Sequence, residues 1–273
     1  MSQGHEIICT SRKKFFKDRS LEFVFDLANG KPLHQILPAP PSVIIHLAAK
    51  IPNKKNIINE DLQCAEINKK IDDNVYRAAK RWNCHVVYAS TCGLYDSKSH
   101  LWKKEGSSPL LPRTCYFREK IKSEKKFLNL QSCAILRFSS PIGPGTAEKT
   151  VFGKFCLQAI KNKCLEVWGD GLREQDFLST FDIAKATLLA SQKPWSGVLN
   201  IASGKPVTMH YLASKIIHEL EGGTLKKNLC EDPQQGHTAR YCIEKAQKVL
   251  KWKPKVSLEN SIHDFVSTLP NKP

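Results

Sequence analysis

Short apolar runs rich in β-branched residues alternate along this chain with stretches in which apolar residues recur every three or four positions. The first pattern predicts strands at residues 6–10, 21–25, 43–47, 85–90, 134–138, 165–168 and 198–202. The second predicts helices at residues 59–82, 116–130, 152–162, 183–191, 209–220, 243–250 and 258–266. The run 43–47 is nearly continuous in apolar residues, which predicts a strand buried on both faces. Strands alternating with helices are typical of an α/β fold with a parallel sheet.

Composition narrows the class of protein without deciding its function. The 273 residues suffice for one large α/β domain, or for one domain with a smaller appended lobe. The net charge of +16 favours an anionic partner such as nucleic acid, a membrane surface or a phosphorylated small molecule. The basic residues are scattered and are not interleaved with aromatic residues, so we expect no nucleic-acid binding. A basic solvated surface is the simpler interpretation of the charge.

The ten cysteines include no Cys-x-x-Cys pair, so neither a zinc cluster nor another metal site is expected. The amino terminus has no charged leader followed by an apolar segment. No apolar run approaches the roughly 20 residues that cross a bilayer. Together these features predict a cytoplasmic protein without a membrane partner.

The candidate chemistry centres on Tyr116 and Lys120, which lie four apart on a predicted helix and therefore share one face. An ammonium beside a phenol is expected to lower its pKa from about 10 towards neutral pH. Such a tyrosine can give or take a proton at a carbon that is oxidised or reduced. Thr91 ends the strand at 85–90, although a threonine there could equally be an ordinary turn residue. Tyr-x-x-x-Lys also occurs by chance in many helices.

Several further segments, in order and correctly spaced, resemble one family. They are Gly4-His5-Glu6-Ile7, Asp26-Leu27, His46-Leu47-Ala48-Ala49, Thr91 with Tyr116, and the segments 136–144, 169–182, 199–204 and 245–254. The chain resembles the extended short-chain dehydrogenase/reductase family, in its NAD-dependent epimerase/dehydratase branch, from Gly4 to about Val266.

The resemblance implies a Rossmann-type doubly wound parallel sheet with a smaller C-terminal substrate lobe. Residues 1–145 would form the NAD(P)-binding domain, which strand 198–202 rejoins, and residues 146–273 mainly the lobe. Gly4 resembles the glycine that precedes the second strand, so the first βα unit, about 20 residues with the glycine-rich loop, is expected to be missing. Its loss would expose a sheet edge. A misplaced start or a decayed gene product would explain the loss.

The resemblance also assigns site residues. Tyr116 would be the acid or base, Thr91 would orient the substrate oxygen, and Lys120 would lower the Tyr116 pKa and hold the nicotinamide ribose. The implied cofactor-binding residues are Arg12, Asp26, Leu27, Leu47, Ala48, Ala49, Tyr116, Lys120 and Pro141. The implied substrate-binding residues are Thr91, Ser140, Arg173, Gln175 and Arg240. If Arg12 contacts the cofactor, it favours a 2′-phosphate, since Cys9 and Thr10 supply no acid for a ribose hydroxyl.

The activity implied is epimerisation of a nucleotide sugar by transient hydride transfer, with NAD or NADP as cofactor. Cys92-Gly93 follows Thr91 where dehydratases of the family carry Asp-Glu, so dehydration is not expected. Ser140 and Gln175 replace the family's usual Asn and Arg, which leaves the sugar nucleotide open. The alternatives are an NADP-dependent carbonyl or sugar reductase, and a non-catalytic binding protein that has lost the cofactor. A homodimer through helices 59–82 and 116–130 is expected by the same resemblance.

Overall fold

The computed structural model describes residues 6–14, 22–52, 58–108, 110–162, 164–221, 223–228 and 230–269. The strands are β1 (Cys9–Ser11), β2 (Glu22–Val24), β3 (Val43–His46), β4 (His85–Thr91), β5 (Cys133–Phe138), β6 (Ser140–Ile142), β7 (Cys164–Trp168), β8 (Glu174–Gln175), β9 (Phe177–Ser179), β10 (Gly197–Ile201), β11 (Val207–Thr208) and β12 (Thr224–Asn228). The helices are α1 (Leu33–Ile36), α2 (Ile58–Trp82), α3 (Cys115–Phe127), α4 (Val151–Asn162), α5 (Thr180–Gln192), α6 (Met209–Glu219), α7 (Glu244–Leu250) and α8 (Leu258–Ser267). Gly4 and Leu21, which the sequence placed at the start of predicted elements, lie outside the described residues.

The central sheet has four parallel strands in the order β10-β5-β4-β3. Alternate side chains of β4 enter opposite layers, as the two-residue period of a strand requires. Val86 and Tyr88 pack with Phe127 and the helices α2 and α3, whereas Val87 packs on the α5 side with Ala186. Helices therefore cover both faces of a parallel sheet, and the α/β fold expected from the sequence is confirmed.

The strand β3 differs from its prediction. Among the described strands it pairs only with β4, while β1 and β2 form a separate parallel pair. Ile45 is 45% exposed and Leu47 is 61% exposed, so this run is not buried on both faces. An apolar pattern shows which side chains can be buried, but their actual burial depends on whether a neighbouring strand packs beside them. Within the described residues, no strand pairs with the side of β3 opposite β4.

The C-terminal lobe has its own hydrophobic core beside the sheet. Side chains of α4, α6 and α8 share one hydrophobic cluster with those of β7 and β12, which form a parallel pair. Thr208 and Ser257 cap α6 and α8, since their hydroxyls accept hydrogen bonds from the N–H groups of Tyr211 and Asn260. The strand β6 pairs with β9 and connects this lobe to the end of β5.

Within the described part of the chain, no helix is both long enough and apolar enough to cross a membrane. All ten cysteines lie in the described residues, and none is in a disulfide.

Candidate active site

The strand β4 and the helix α3 meet where the sequence placed the candidate catalytic residues. Asp61 of α2 fixes the start of α3, because its carboxylate accepts the N–H groups of Cys115 at 2.5 Å and Tyr116 at 3.0 Å. Thr114 accepts the N–H of Phe117 at 3.2 Å and completes the cap. Burial tends to raise the pKa of Asp61, but these backbone hydrogen bonds outweigh it and lower the pKa.

Thr91 ends β4 beside the first turn of α3. Its Oγ1 accepts the N–H of Gly93 at 3.0 Å, so the hydroxyl proton is left to donate elsewhere. A Cβ atom at Gly93 would lie 2.9 Å from Cζ of Phe117 and 3.3 Å from Oγ1 of Thr91. The absence of a side chain at Gly93 therefore lets the Phe117 ring lie against this turn. Thr91 is thus close to Phe117, the residue that follows Tyr116.

Lys120 lies one helical turn after Tyr116 and is only 3% exposed. Its Nζ donates to the hydroxyl of Tyr88 at 2.8 Å and to the carbonyl of Ala89 at 3.2 Å, both on β4. Tyr88 in turn donates to Oδ2 of Asp72, on α2, at 2.9 Å. Burial lowers the pKa of Lys120, and the charges of Asp72 and Glu124 oppose that shift.

The expected effect of Lys120 on Tyr116 is wrong for this structure. Burial, followed by the charges of Asp72 and Cys64, raises the pKa of Tyr116 to about 12. The ammonium that should lower this pKa is bonded to Tyr88 instead. Tyr116 is therefore a neutral phenol at physiological pH, able to donate a proton before it can accept one.

A hydrogen-bonded chain joins three of the four lobe-side substrate candidates. Arg173 donates from Nη1 to Oε1 of Gln175 at 2.9 Å, and Gln175 donates from Nε2 to Oγ of Ser140 at 2.6 Å. Nε of Arg173 is bonded to Asp232 at 2.6 Å. Although Gln175 occupies the position where the family usually has arginine, Arg173 and Gln175 still form one connected polar strip with Ser140.

Arg240, the fourth of these candidates, is held by other groups. Its Nε and Nη2 donate to the two carboxylate oxygens of Glu174, each at 2.8 Å, and its Nη1 to the carbonyl of His100 at 3.3 Å. In this conformation the guanidinium ties the strand β8 to the loop that contains His100. An incoming anion would have to compete with that paired carboxylate.

The cofactor candidates follow the carboxyl ends of the parallel strands. Arg12 is exposed in the bend after β1, and Asp26 caps the turn after β2 by accepting the N–H of Ala28 at 2.9 Å. Leu47 and Ala48 are exposed after β3, and Ala49 is half-buried. Leu27 packs against the core, and Pro141 is exposed in β6.

A dinucleotide binds along such an edge, and the small Ala48 and Ala49 allow its close approach. Asn68 fixes the backbone there, with its side chain bonded to both N–H and C=O of Lys50 at 2.7 and 2.8 Å. The small, at least partly exposed residues at this edge are compatible with a bound dinucleotide. The glycine-rich turn for the pyrophosphate does not occur, since Gly4 and Gly30 are the only glycines before Gly93.

A second buried network supports the site from behind. Arg137 of β5 forms a two-point ion pair with Glu124 at 2.9 and 2.6 Å, and donates to Tyr95 at 2.9 Å. Ser90 donates to the same Glu124 carboxylate at 2.5 Å, and Tyr95 donates to Asn200 at 2.8 Å. This network joins α3, β4, β5 and β10, and its member Ser90 immediately precedes Thr91 on β4.

Sequence reasoning did not identify Asp61, Asn68, Asp72, Tyr88 or the Glu124–Arg137 pair. A signal exists for some of them. Asn68 and Asp72 occupy the same buried stripe of α2 as Ile71 and Val75, and a polar residue in an apolar stripe indicates a buried hydrogen-bonding role. Arg137 likewise interrupts an apolar strand.

Comparison with known proteins agrees with this geometry. The model of the NAD dependent epimerase/dehydratase family matches residues 1–202. A putative UDP-glucose 4-epimerase of Methanocaldococcus jannaschii is 27% identical over 84% of this chain and 77% of its own length.

Solved structures share the fold. UDP-glucose 4-epimerase of Thermotoga maritima with UDP-glucose aligns with TM-score 0.85 and 18% identity, over 97% of this chain and 91% of its own. MoeE5 in complex with UDP-glucose and NAD aligns with TM-score 0.82 and 20% identity over the same shares. The fold is therefore of the Rossmann type found in these structures. The family model matches most of the chain, and the candidate site lies at the end of a strand of this fold. This chain therefore belongs to the NAD dependent epimerase/dehydratase family.

Proposed function

We propose that this protein is an NAD-dependent epimerase that acts on a nucleotide-linked sugar. The observation that carries the proposal is that Thr91 ends β4 while Tyr116 and Lys120 lie on the adjoining helix α3, with Lys120 bonded to Ala89 of β4. Family membership supports the cofactor, and the names of the relatives support a UDP-sugar as the first substrate to test. The polar strip of Arg173, Gln175 and Ser140 is proposed to bind the anionic part of such a substrate, which would have to compete with Asp232 for Arg173.

Each residue of the site has a definite part in this proposal. Tyr116 exchanges a proton with the sugar oxygen at the carbon that changes configuration: as a phenolate it would accept the hydroxyl proton when the carbon is oxidised, and as a phenol it would return that proton when the carbon is reduced. The resting phenol would therefore first lose its proton to solvent when substrate and cofactor bind. Thr91 donates its hydroxyl proton to the same oxygen and orients it. Lys120 contributes a positive charge beneath the site. Bound NAD would supply the oxidising and reducing equivalents for the sugar.

Arg12, Asp26, Leu27, Leu47, Ala48, Ala49 and Pro141 are proposed to contact the cofactor. A homodimer through α2 and α3 and a cytoplasmic location complete the proposal. Light scattering after size-exclusion chromatography tests the dimer, which would double the chain mass of 30.8 kDa.

The experiment follows the interconversion of UDP-glucose and UDP-galactose by NMR with NAD, and measures NAD binding separately by calorimetry. We expect turnover without net reduction of the cofactor, and a loss of about 10²–10⁴-fold in kcat for Tyr116→Phe. Tyr211→Phe, which changes an exposed tyrosine, is the matched control and should leave the rate unchanged.

Other outcomes separate the alternatives. Net consumption of NADPH with a carbonyl substrate would contradict epimerisation and support the reductase. Absence of cofactor binding at millimolar NAD and NADP would contradict both enzymes and support a non-catalytic binding protein.

A further inference from the structure

Lys120 is held by a chain of buried polar groups that extends across the sheet. Its ammonium bonds to Tyr88, Tyr88 bonds to Asp72, and Oδ1 of Asp72 lies 2.8 Å from Nε2 of His46. These groups come from α3, β4, α2 and β3 in turn. Asp72 is 1% exposed and Tyr88 is fully buried, so water does not compete for their hydrogen bonds.

In this series of buried groups, the donor and the acceptor of every hydrogen bond follow from the protons that each side chain carries. An ammonium can only donate and an ionised carboxylate can only accept. Tyr88 has one proton, which it gives to Asp72, and its lone pairs accept from Lys120. The Nε2 atom of His46 is then the donor to Asp72. Reversing any bond would place two donors or two acceptors face to face.

Asp72 is also the carboxylate best placed to balance the buried charge of Lys120. Glu124, one turn further along α3, forms a two-point ion pair with Arg137. His46, Tyr88 and Cys64 also surround Lys120 and Tyr116, and none of them carries a fixed negative charge at neutral pH. Two other carboxylates nearby are engaged elsewhere: Asp61 accepts the N–H groups of Cys115 and Tyr116, and Glu119 pairs with Lys122. The His46 bond and the charges of His46 and Lys120 outweigh the effect of burial and hold the pKa of Asp72 below its usual value.

We propose that Asp72 is a positioning residue for Lys120: through Tyr88 it fixes the direction of the ammonium and keeps it charged inside the protein. The inference rests on the function proposed above, because it concerns the reaction in which Lys120 takes part. With Lys120 directed to Tyr88, the phenol of Tyr116 keeps its proton until substrate and cofactor change the surroundings. Asp72, a carboxylate on α2 outside the Tyr-x-x-x-Lys motif, thus keeps Lys120 charged and bonded to Tyr88 before substrate and cofactor bind.

The first test is independent of activity. Lysine side-chain ¹⁵N NMR of the full chain follows the ammonium of Lys120, whose signal is assigned by its loss in Lys120→Met. In Asp72→Asn, Lys120 should titrate at least about one pH unit lower than in the wild type, a tenfold loss of proton affinity. Asp73→Asn is the matched control, because it removes the same charge from the next residue, which pairs with Lys126 and not with Lys120. Equal titration of Lys120 in the two variants would overturn the proposal.

Tyr88→Phe provides a second variant if Asp72→Asn does not fold. It keeps the carboxylate and removes only the bridging hydroxyl. The Lys120 ammonium should then exchange its protons with water faster than in the wild type, and its titration should again shift to lower pH. An unchanged signal in Tyr88→Phe would show that the bridge does not position Lys120.

Activity separates this inference from the proposed function. The alkaline limb of the pH–rate profile should move in Asp72→Asn by the same amount as the NMR titration, with KM unchanged. If the NMR shift occurs but the wild type shows no epimerase turnover, the positioning role stands and the proposed function fails. If turnover occurs and neither measurement moves in Asp72→Asn, the positioning role fails.

Discussion

Replacing Arg137 with methionine should lower the free energy of unfolding by about 3–5 kcal/mol, the usual cost of removing one partner from a buried ion pair. The side chains of Arg137 and Glu124 are 6% and 5% exposed, and their two hydrogen bonds measure 2.9 and 2.6 Å. Methionine fills most of the arginine volume, so little of the loss comes from a cavity. In this variant the Glu124 carboxylate stays buried, with Ser90 as a hydrogen-bond donor.

Urea unfolding monitored by circular dichroism measures this change. The double variant Glu124→Gln/Arg137→Met should be less destabilised than the sum of its single variants by about 0.5–3 kcal/mol, since it leaves no unpaired charge. Lys126→Met, which opens the half-exposed pair with Asp73, is the control and should cost about 0–1 kcal/mol. A loss below about 1 kcal/mol for Arg137→Met would refute the reasoning, because the buried carboxylate would then have found another partner or a proton.

Two further predictions concern the site itself. Gly93→Ala should destabilise the protein by about 1–3 kcal/mol in urea unfolding, since its Cβ would lie 2.9 Å from Cζ of Phe117. Adding Phe117→Leu should restore part of that loss, and no difference between the single and double variants would contradict the steric cause. Stability should also fall between pH 10 and 12, because the unfolded state ionises its tyrosines first, whereas Tyr95 and Tyr116 have their pKa raised to about 12 in the folded protein. Each contributes about 2–3 kcal/mol below pH 10 that is lost by pH 12, so Tyr116→Phe should make the decline shallower. A decline as steep as that of the wild type would contradict the raised pKa.

Much of the fold was predictable because its strands and helices carry their own periodicity. The runs that became β4 and β5 are mostly apolar, and both strands are buried by helices on the two faces of the sheet. The helix α2 was predicted within one residue of its observed start, since its apolar residues keep a helical period over 25 residues. The run that became β3 has the same local pattern, yet its burial depends on a neighbouring strand.

The candidate site was predictable to a similar extent. Thr91, Tyr116 and Lys120 stand at spacings that the sequence displays, and the structure places them around the end of β4. Their protonation was not predictable from the same spacing. A four-residue separation puts two side chains on one face of a helix, but it does not say which neighbour the longer one prefers.

By itself the sequence determined the order of the main strands and helices, the family, and the residues that can exchange protons, because these depend on the types of residue and their spacing. The short strands β6, β8, β9 and β11, the strand β12 and the helix α1 were not predicted. Only the tertiary structure decided that Lys120 points to Tyr88, that Tyr116 keeps its proton and that Arg240 is paired with Glu174. The physical reason is that electrostatic energies depend on burial and on charges within a few ångströms. Asp72 acquires its influence on Lys120 only when α2 packs beside α3 and β4.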